Sequence, residues 1–451
     1  MQTRTILTTA WLLAGVSLLS LRVPLALGQT ATPSTVLIRN ARIFDGRNDH
    51  LQEGMSLLVE GRLIKQIARG EIPAPKGALV VDAGNRVLIP GLIDTHVHLT
   101  FSLPLQALNT TDSMYLGVVA AKTAEAMLLR GFTSVRDMAG PVFGIKKAID
   151  EGLIVGPRVY PSGAMISQTS GHFDFRTAAD LHPLFGGQRA RTELLGAGTL
   201  ADGEAMVLAA VREQLRHGAA QIKLAAGGGV ASPADPLDVN QYTAEELRAA
   251  VKAAEDWGTY VATHVYNPAG IRRALDAGVK SIEHGHLIDE PTMKHLVAKG
   301  AFLSTQIIVY VSEQKGWDDR QKRKQAQALA GANTMMTLAK KYGAKVTFGT
   351  DLVSEPSQVK RQNEEFGLRL RWFAPAEILR QATSTAAELL ALSGPRNPYP
   401  EGVLGVIKEG AYADLLIVEG NPLEDIRILE RPSETLLLIM KDGVIHKNKV
   451  K

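Results

Sequence analysis

The 451-residue sequence contains no cysteine, so thiol nucleophiles, disulfide cross-links and cysteine metal ligands are all excluded. Any metal held by this chain has to be bound by His, Asp, Glu or a modified Lys. Low-complexity tracts and short-period repeats are also lacking, and the ordinary balance of apolar and charged residues argues for a folded chain. A dense basic face is missing too. The formal charge is +4, but Arg4 and Arg22 fall in a leader-like segment without acids, and the remainder carries 48 basic against 46 acidic residues. That near balance excludes nucleic-acid binding driven by a basic surface. The one dense positive run, KGWDDRQKRK at 315–324, reads as a solvated helix face.

No apolar run reaches the roughly 20 residues that a membrane-spanning helix needs. The nearest is 6–21, preceded by Arg4 and followed by small residues at Ala26 and Gly28, which is the pattern of a secretory signal peptide. Residues 1–28 are therefore expected to be a cleaved leader. The mature protein is expected to be periplasmic or secreted, without stable membrane insertion.

From 35 to 87, short alternating strands with Gly turns (VLIRNARIF, MSLLVEGRLIKQIA, ALVVDAGNRVLIP) predict an antiparallel β unit. The same texture returns in ADLLIVEG and TLLLIMKDGVIHK near the C-terminus. Two β segments flanking one α/β region predict a small β-sandwich built from both termini, over 29–90 and 395–451. Between them, over 91–394, apolar strands alternate with helices in the rhythm of an α/β fold, a (β/α)8 TIM-like barrel. Eight strands are predicted at 92–98, 133–137, 158–162, 221–225, 260–264, 281–284, 302–304 and 345–350. Helices at 112–130, 202–217, 268–277 and 291–299 each run into a glycine suited to a left-handed C-cap. Two connections, 163–200 and 305–329, are too long for plain crossovers and read as functional lids.

Asp94, His96 and His98 lie in GLIDTHVHLT, where alternate strand residues share a face, so the two imidazoles project side by side. His-x-His alone is a weak signal; its force comes from lying at the C-terminal end of the first barrel strand, where barrel active sites are built. Lys223 interrupts the apolar run QIKLAA, and a lysine buried without a partner is strongly disfavoured. Either it reaches a carboxylate or the strand end, or it reacts with carbon dioxide to give a carbamate, an oxygen anion able to bridge two cations. Burial lowers a lysine pKa and supplies the neutral amine that this reaction requires. His264, His284 and Asp351 end the fifth, sixth and eighth strands. Singly each could be a packing residue, but six such groups converge on one rim.

The motifs PGLIDTHVHL, IKLAAGGGV, ATHVYNPAGI, SIEHGHLID and FGTD resemble the amidohydrolase superfamily. They are similar in detail to the branch of imidazolonepropionase-like hydrolases, Xaa-Pro-type dipeptidases and bacterial amidohydrolases that degrade ochratoxin A. The resemblance implies a pair of divalent metal ions, zinc foremost. His96, His98 and Asp351 would hold the more buried one and His264 and His284 the more exposed one, with Lys223 bridging them as N6-carboxylysine. Imidazolonepropionases lack the bridging lysine, so Lys223 argues against that activity. Such a metal pair generates a hydroxide nucleophile at neutral pH without Ser or Cys. Asp351 and Lys223 are thus the candidate catalytic groups, Asp351 as proton acceptor and donor.

Tyr266, two residues beyond His264, and His172, in the SQTSGHFDF loop, are candidate substrate-binding residues. The AAGGGV loop at 225–230 lacks the Lys-Ser/Thr of a phosphate cradle and reads instead as a place where backbone approaches substrate closely. The expected reaction is hydrolysis of an N-acyl amino acid or dipeptide, ochratoxin A included, with a cyclic amide or lactone as the rival substrate. A metal-free scaffold is the competing class, and the complete candidate ligand set argues against it. Relatives of this kind are commonly homo-oligomers, and the same is expected here.

Overall fold

A computed structural model of the protein describes residues 35–450, apart from 105–106, 109, 233–234 and 313–315. The expected leader at 1–28 lies outside the described residues.

Eight parallel strands form the barrel: β1 (Leu92–Val97), β2 (Phe132–Asp137), β3 (Arg158–Pro161), β4 (Ile222–Ala225), β5 (Val261–Val265), β6 (Ser281–His284), β7 (Phe302–Thr305) and β8 (Lys345–Phe348). Helices follow in turn: α1 (Ser113–Leu129), α2 (Phe143–Asp150), α3 (Glu204–Arg216), α4 (Ala244–Glu255), α5 (Pro268–Ala277), α6 (Glu290–Ala298), α7 (Asp319–Tyr342) and α8 (Ser384–Ala391). The strands pair in two arcs, β1–β3 and β4–β8. Hydrogen bonds join the arcs at both seams: Ala220 N donates to Pro161 O at 2.8 Å, and Asp351 N to His96 O at 2.8 Å. Period-2 alternation divides each strand. In β4, Ile222 and Leu224 join the core beneath the helices, while Lys223 between them faces the barrel interior. Helical spacing supplies the matching layer, with Val207, Val211 and Leu215 on α3 and Ile271, Ala274 and Leu275 on α5.

The terminal segments form one eight-stranded sheet whose seam is the antiparallel pairing of Val87–Pro90 with Leu415–Val418. Its N-terminal part is mixed rather than purely antiparallel. Val36–Ile43 pairs antiparallel with Gln52–Glu60 but parallel with both Leu79–Asp82 and Val87–Pro90. The partner change coincides with Asn40, whose φ of 55° breaks the strand's regular course. Strand Leu415–Val418 is buried on both faces: Leu415 and Ile417 belong to the sheet's own core, Leu416 and Val418 to that of the barrel.

Both long connections contain more order than their sequences suggest. The first holds strands Met165–Ser167 and Gly198–Leu200, which pair with each other, Met165–Ser167 also joining the edge of β4. The second is cut short by α7, which begins at Asp319 with Asp318 as its cap. The expectation of a solvated basic face fails at Lys324, which is buried; its ammonium donates to the carbonyls of Gly229, Ser232 and Asp235 at 2.5, 2.6 and 3.1 Å. Three carbonyl acceptors compensate the buried charge and pin the loop after β4 to α7.

Because Leu416 packs the terminal sheet onto the barrel, Leu416→Ala is expected to cost about 2–5 kcal/mol. Urea unfolding should report that loss while circular dichroism and tryptophan fluorescence still fall together. An unchanged midpoint would contradict the shared core.

Candidate active site

His96, His98, His172, Lys223, His264, Tyr266, His284 and Asp351 all line one cavity at the C-terminal end of the barrel strands. One nitrogen each of His96 and His284 and one oxygen of Asp351 lie within 4.8 Å of one another. His98 Nε2 is 3.0 Å from Asp351 Oδ1, and the His264 ring packs edge-on against that of His284 at 4.4 Å. The group His96–His284–Asp351 therefore takes members from both of the halves into which the resemblance would divide the ligands.

Second partners fix which nitrogen each imidazole presents. His96 Nδ1 donates to Glu283 Oε2 at 2.8 Å and His98 Nδ1 to Ala139 O at 3.1 Å, leaving Nε2 of each toward Asp351. His264 Nε2 donates to Gly228 O at 3.1 Å, which frees Nδ1. His284 differs: its Nδ1 meets Gln306 Oε1 at 2.9 Å and the Tyr310 hydroxyl at 3.0 Å and also lies 4.0 Å from Asp351 Oδ2. Burial, reinforced by Lys223, pushes the His96 imidazole down to about 4. Burial likewise holds His264 and His284 well below the ordinary value. All three are neutral at physiological pH, the form a metal ligand needs.

Lys223 Nζ is buried and has no hydrogen-bond partner among the described residues. Burial pushes its ammonium down to about 8, against the pull of Glu283 and Asp351. Burial also acts to raise the Asp351 carboxyl, but His96, His98 and Lys223 outweigh it and keep the group below its usual value. His284 and Asp351 both have left-handed backbones, with φ of 70° and 52°. Period 2 would turn His284 to the helix side with Ile282; the left-handed conformation brings it to the cavity.

The Asp94 carboxylate holds this rim together. It accepts from His96 N, Thr350 N, Thr350 Oγ1 and Gln362 Nε2, at 3.0, 3.2, 2.6 and 2.9 Å. The network fastens the segment carrying Asp351 to β1.

His172 stacks on His264 with centroids 3.9 Å apart, and its Nδ1 lies 2.7 Å from Ser232 Oγ. Tyr266 stacks on His284 at 5.2 Å and shares a 2.7 Å hydrogen bond with Tyr310. In the glycine loop, close approach is to protein rather than to open cavity. A Cβ on Gly228 would lie 1.8 Å from Pro236 O, and one on Gly229 1.9 Å from His172 Nδ1.

Sequence reasoning passed over Arg136, Glu283, Gln306 and Tyr310. The fully buried Arg136 donates to Glu283 Oε1 and Oε2 at 2.7 and 2.9 Å and to Thr95 O at 2.6 Å. A charge inside an apolar strand was the available signal for Arg136 and Glu283, as it was for Lys223. Tyr310, in the run IIVYV, carries no such mark.

A model of the amidohydrolase family matches residues 87–445. The chain belongs to this amidohydrolase family. It is 31% identical over 447 residues to an ochratoxinase of Aspergillus niger, covering 96% of this chain and 91% of that one. A prolidase crystallised with N-methylphosphonate-L-proline superimposes with a TM-score of 0.85 at 33% identity, over 92% of this chain and 100% of that one. A Xaa-Pro dipeptidase with bound methionine gives 0.81 at 29% identity, over 92% and 100%. As an amidohydrolase the protein is a hydrolase of amide bonds, on a TIM-like barrel with an additional β domain.

Glu283→Gln keeps the shape but leaves Arg136 buried without a counter-charge, which should destabilise this amidohydrolase by about 3–5 kcal/mol. Thermal unfolding checks it. An unaltered melting temperature would remove Glu283 from the structural argument.

Proposed function

We propose that the protein is a binuclear metal-dependent amide hydrolase that releases a C-terminal amino acid from N-acyl amino acids or dipeptides. Ochratoxin A, cleaved to ochratoxin alpha and phenylalanine, is among its substrates. The observation that carries this reading is the Lys223 ammonium, buried without a hydrogen-bond partner among the described residues in one cavity with five imidazoles and Asp351. Glu283 and Asp351 attract this buried cation, but none of its three donor positions is used in a hydrogen bond among the described residues. As N6-carboxylysine, formed when the neutral amine attacks carbon dioxide and gives up a proton, the same side chain becomes an anionic oxygen ligand matched to that set.

His96, His98 and Asp351 on one side, His264 and His284 on the other, and carboxylated Lys223 between them would hold two divalent ions, with zinc suited to nitrogen and oxygen donors. When bound, such a pair supplies Lewis acidity and an activated water. The chain's own groups do the rest. Asp351 takes the proton of the attacking water and returns it to the departing nitrogen. Tyr266, His172 and the Tyr310 hydroxyl offer hydrogen bonds to the substrate's carbonyl and carboxylate. The remaining wall, Met165, Val230, Ala231, Val309, Trp317 and Val353, is largely apolar and fits an aromatic or aliphatic side chain. The leader pattern at 1–28 makes export to the periplasm or the medium part of this proposal.

Three readings test it on the purified protein. Elemental analysis is expected to find a pair of divalent ions per chain, and intact mass or 13C-bicarbonate labelling a carbamate that Lys223→Ala removes. Chromatography should find phenylalanine released from N-acyl-phenylalanine and ochratoxin A, with Asp351→Asn lowering kcat by about 10²–10⁴-fold. Ring opening of a cyclic imide without amino-acid release would replace the substrate assignment. A metal-free chain that remains inactive after zinc and bicarbonate are supplied would overturn the whole reading.

A further inference from the structure

His172 is fastened at its backbone and at its ring. Left-handed conformations at Ser170 and Phe173, with φ of 60° and 83°, turn the chain sharply on either side of it. Its amide N donates to Gln241 Oε1 at 3.0 Å, which ties the turn to the segment ahead of α4. The ring lies in the space that Gly229 leaves, stacked on His264. Nδ1 is engaged by Ser232 Oγ at 2.7 Å, and because His172 lines the cavity, Nε2 is the ring nitrogen left for a ligand. Ser232 is itself buried, and its place is set from α7: the Lys324 ammonium binds the carbonyls of Gly229, Ser232 and Asp235, while Asp235 Oδ2 accepts from Gly229 N at 2.6 Å.

We propose that Ser232 is a positioning residue for His172: its hydroxyl donates to Nδ1, keeps the imidazole proton on Nε2 and so aims an N–H donor at a substrate oxygen, a role that rests on the reading of His172 as a substrate-binding group. The Ser232 hydroxyl has one proton and two acceptors beside it. Asp235 is the rival to His172, since this hydroxyl works to lower its carboxyl against the rise that burial imposes, and Oδ2 lies 3.7 Å from the same Nδ1. But Oδ2 already takes Gly229 N, and Oδ1 meets no donor among the described residues, whereas the contact with Nδ1 is short. The proton therefore goes to the ring. A neutral imidazole carries a single N–H, so a hydroxyl proton on Nδ1 leaves that N–H at Nε2. Without the hydroxyl the ring is free to carry its proton on Nδ1, and Nε2 then presents a lone pair that repels a substrate oxygen.

Two-bond 1H–15N spectra of the whole protein labelled with 15N-histidine test the tautomer directly, His172 being the ring whose signals vanish in His172→Gln. The wild type is expected to be protonated at Nε2, and Ser232→Ala to shift the Nδ1 signal and mix the tautomers. A wild-type ring protonated at Nδ1, its hydroxyl partner having turned to Asp235, would overturn the proposal, as would signals that Ser232→Ala leaves in place. These spectra need no turnover, so a wild type that released no amino acid would count against the proposed function while they still decided the role of Ser232. Phenylalanine release from N-acyl-phenylalanine supplies the second readout. Ser232→Ala should lower kcat/KM about tenfold, the worth of one hydrogen bond. A glutamine at 172 brings its own amide protons, so in the His172→Gln background the same change should cost less than about twofold. A merely structural Ser232 would lower both backgrounds by the same factor, and that result too would overturn the proposal.

Discussion

The barrel interior is organised around a charge chain that runs from Arg136 on β2 through Glu283 on β6 to His96 on β1. None of its members reaches water, so each charge would cost several kcal/mol if left alone. The carboxylate offsets that cost by accepting from the guanidinium, from Ser281 Oγ at 2.6 Å and from the His96 ring. Burial works to raise the Glu283 carboxyl, but Arg136 and His96 overrule it and keep the group ionised. An ionised, acceptor-only carboxylate obliges His96 Nδ1 to carry the proton, and that decides which nitrogen faces Asp351. One ion pair therefore ties three strands together and sets the protonation of a ring at the top of the barrel.

Backbone strain is concentrated where the chemistry would be. Left-handed conformations at His284 and Asp351 cost of order 1–3 kcal/mol each and persist only where surrounding contacts over-determine them. Those contacts are present. Gln306 and Tyr310 hold the His284 ring, while Asp94 and His96 O hold Thr350 and Asp351. The two strained residues cap β6 and β8, so the strain serves to re-aim side chains that regular strands would direct elsewhere.

Much of this was legible in the sequence because it rests on local signals. Apolar strands in a regular rhythm marked the barrel, and the glycines after four helices do adopt left-handed conformations, at Gly131, Gly218, Gly278 and Gly300. Lys223 stood out because an unexplained charge in an apolar strand is visible locally. Lys324 was misread because its three carbonyl acceptors lie about ninety residues away, and a helix periodicity cannot reveal them. The parallel pairing of Val36–Ile43 with Leu79–Asp82 was hidden for a related reason: alternation specifies which face is buried, not the direction of the neighbouring strand. Tyr310 fills an apolar run as a core aromatic would, and only the fold turns its hydroxyl toward His284.

Candidate chemistry and candidate specificity fall on different parts of the chain. His96, Lys223, His264 and His284 lie on strands, and His98 and Asp351 follow strand ends within a few residues. The apolar wall comes instead from segments that leave the strands: Val230 and Ala231 after β4, Val309 and Trp317 after β7, and Val353 after β8. Strands locked by ladder hydrogen bonds can hold six polar groups in register, whereas loops accept substitution without disturbing that register. Even so, the wall is not free to vary independently. Lys324 binds the carbonyls of the β4 loop from α7, and Gly229 has no room for a side chain beside His172. A change of specificity in the β4 loop therefore has to preserve two glycines, Gly228 and Gly229, and three carbonyl positions, and one after β7 has to keep the backbone that Glu365 and Gln325 hold at Ile307, Ile308 and Val309.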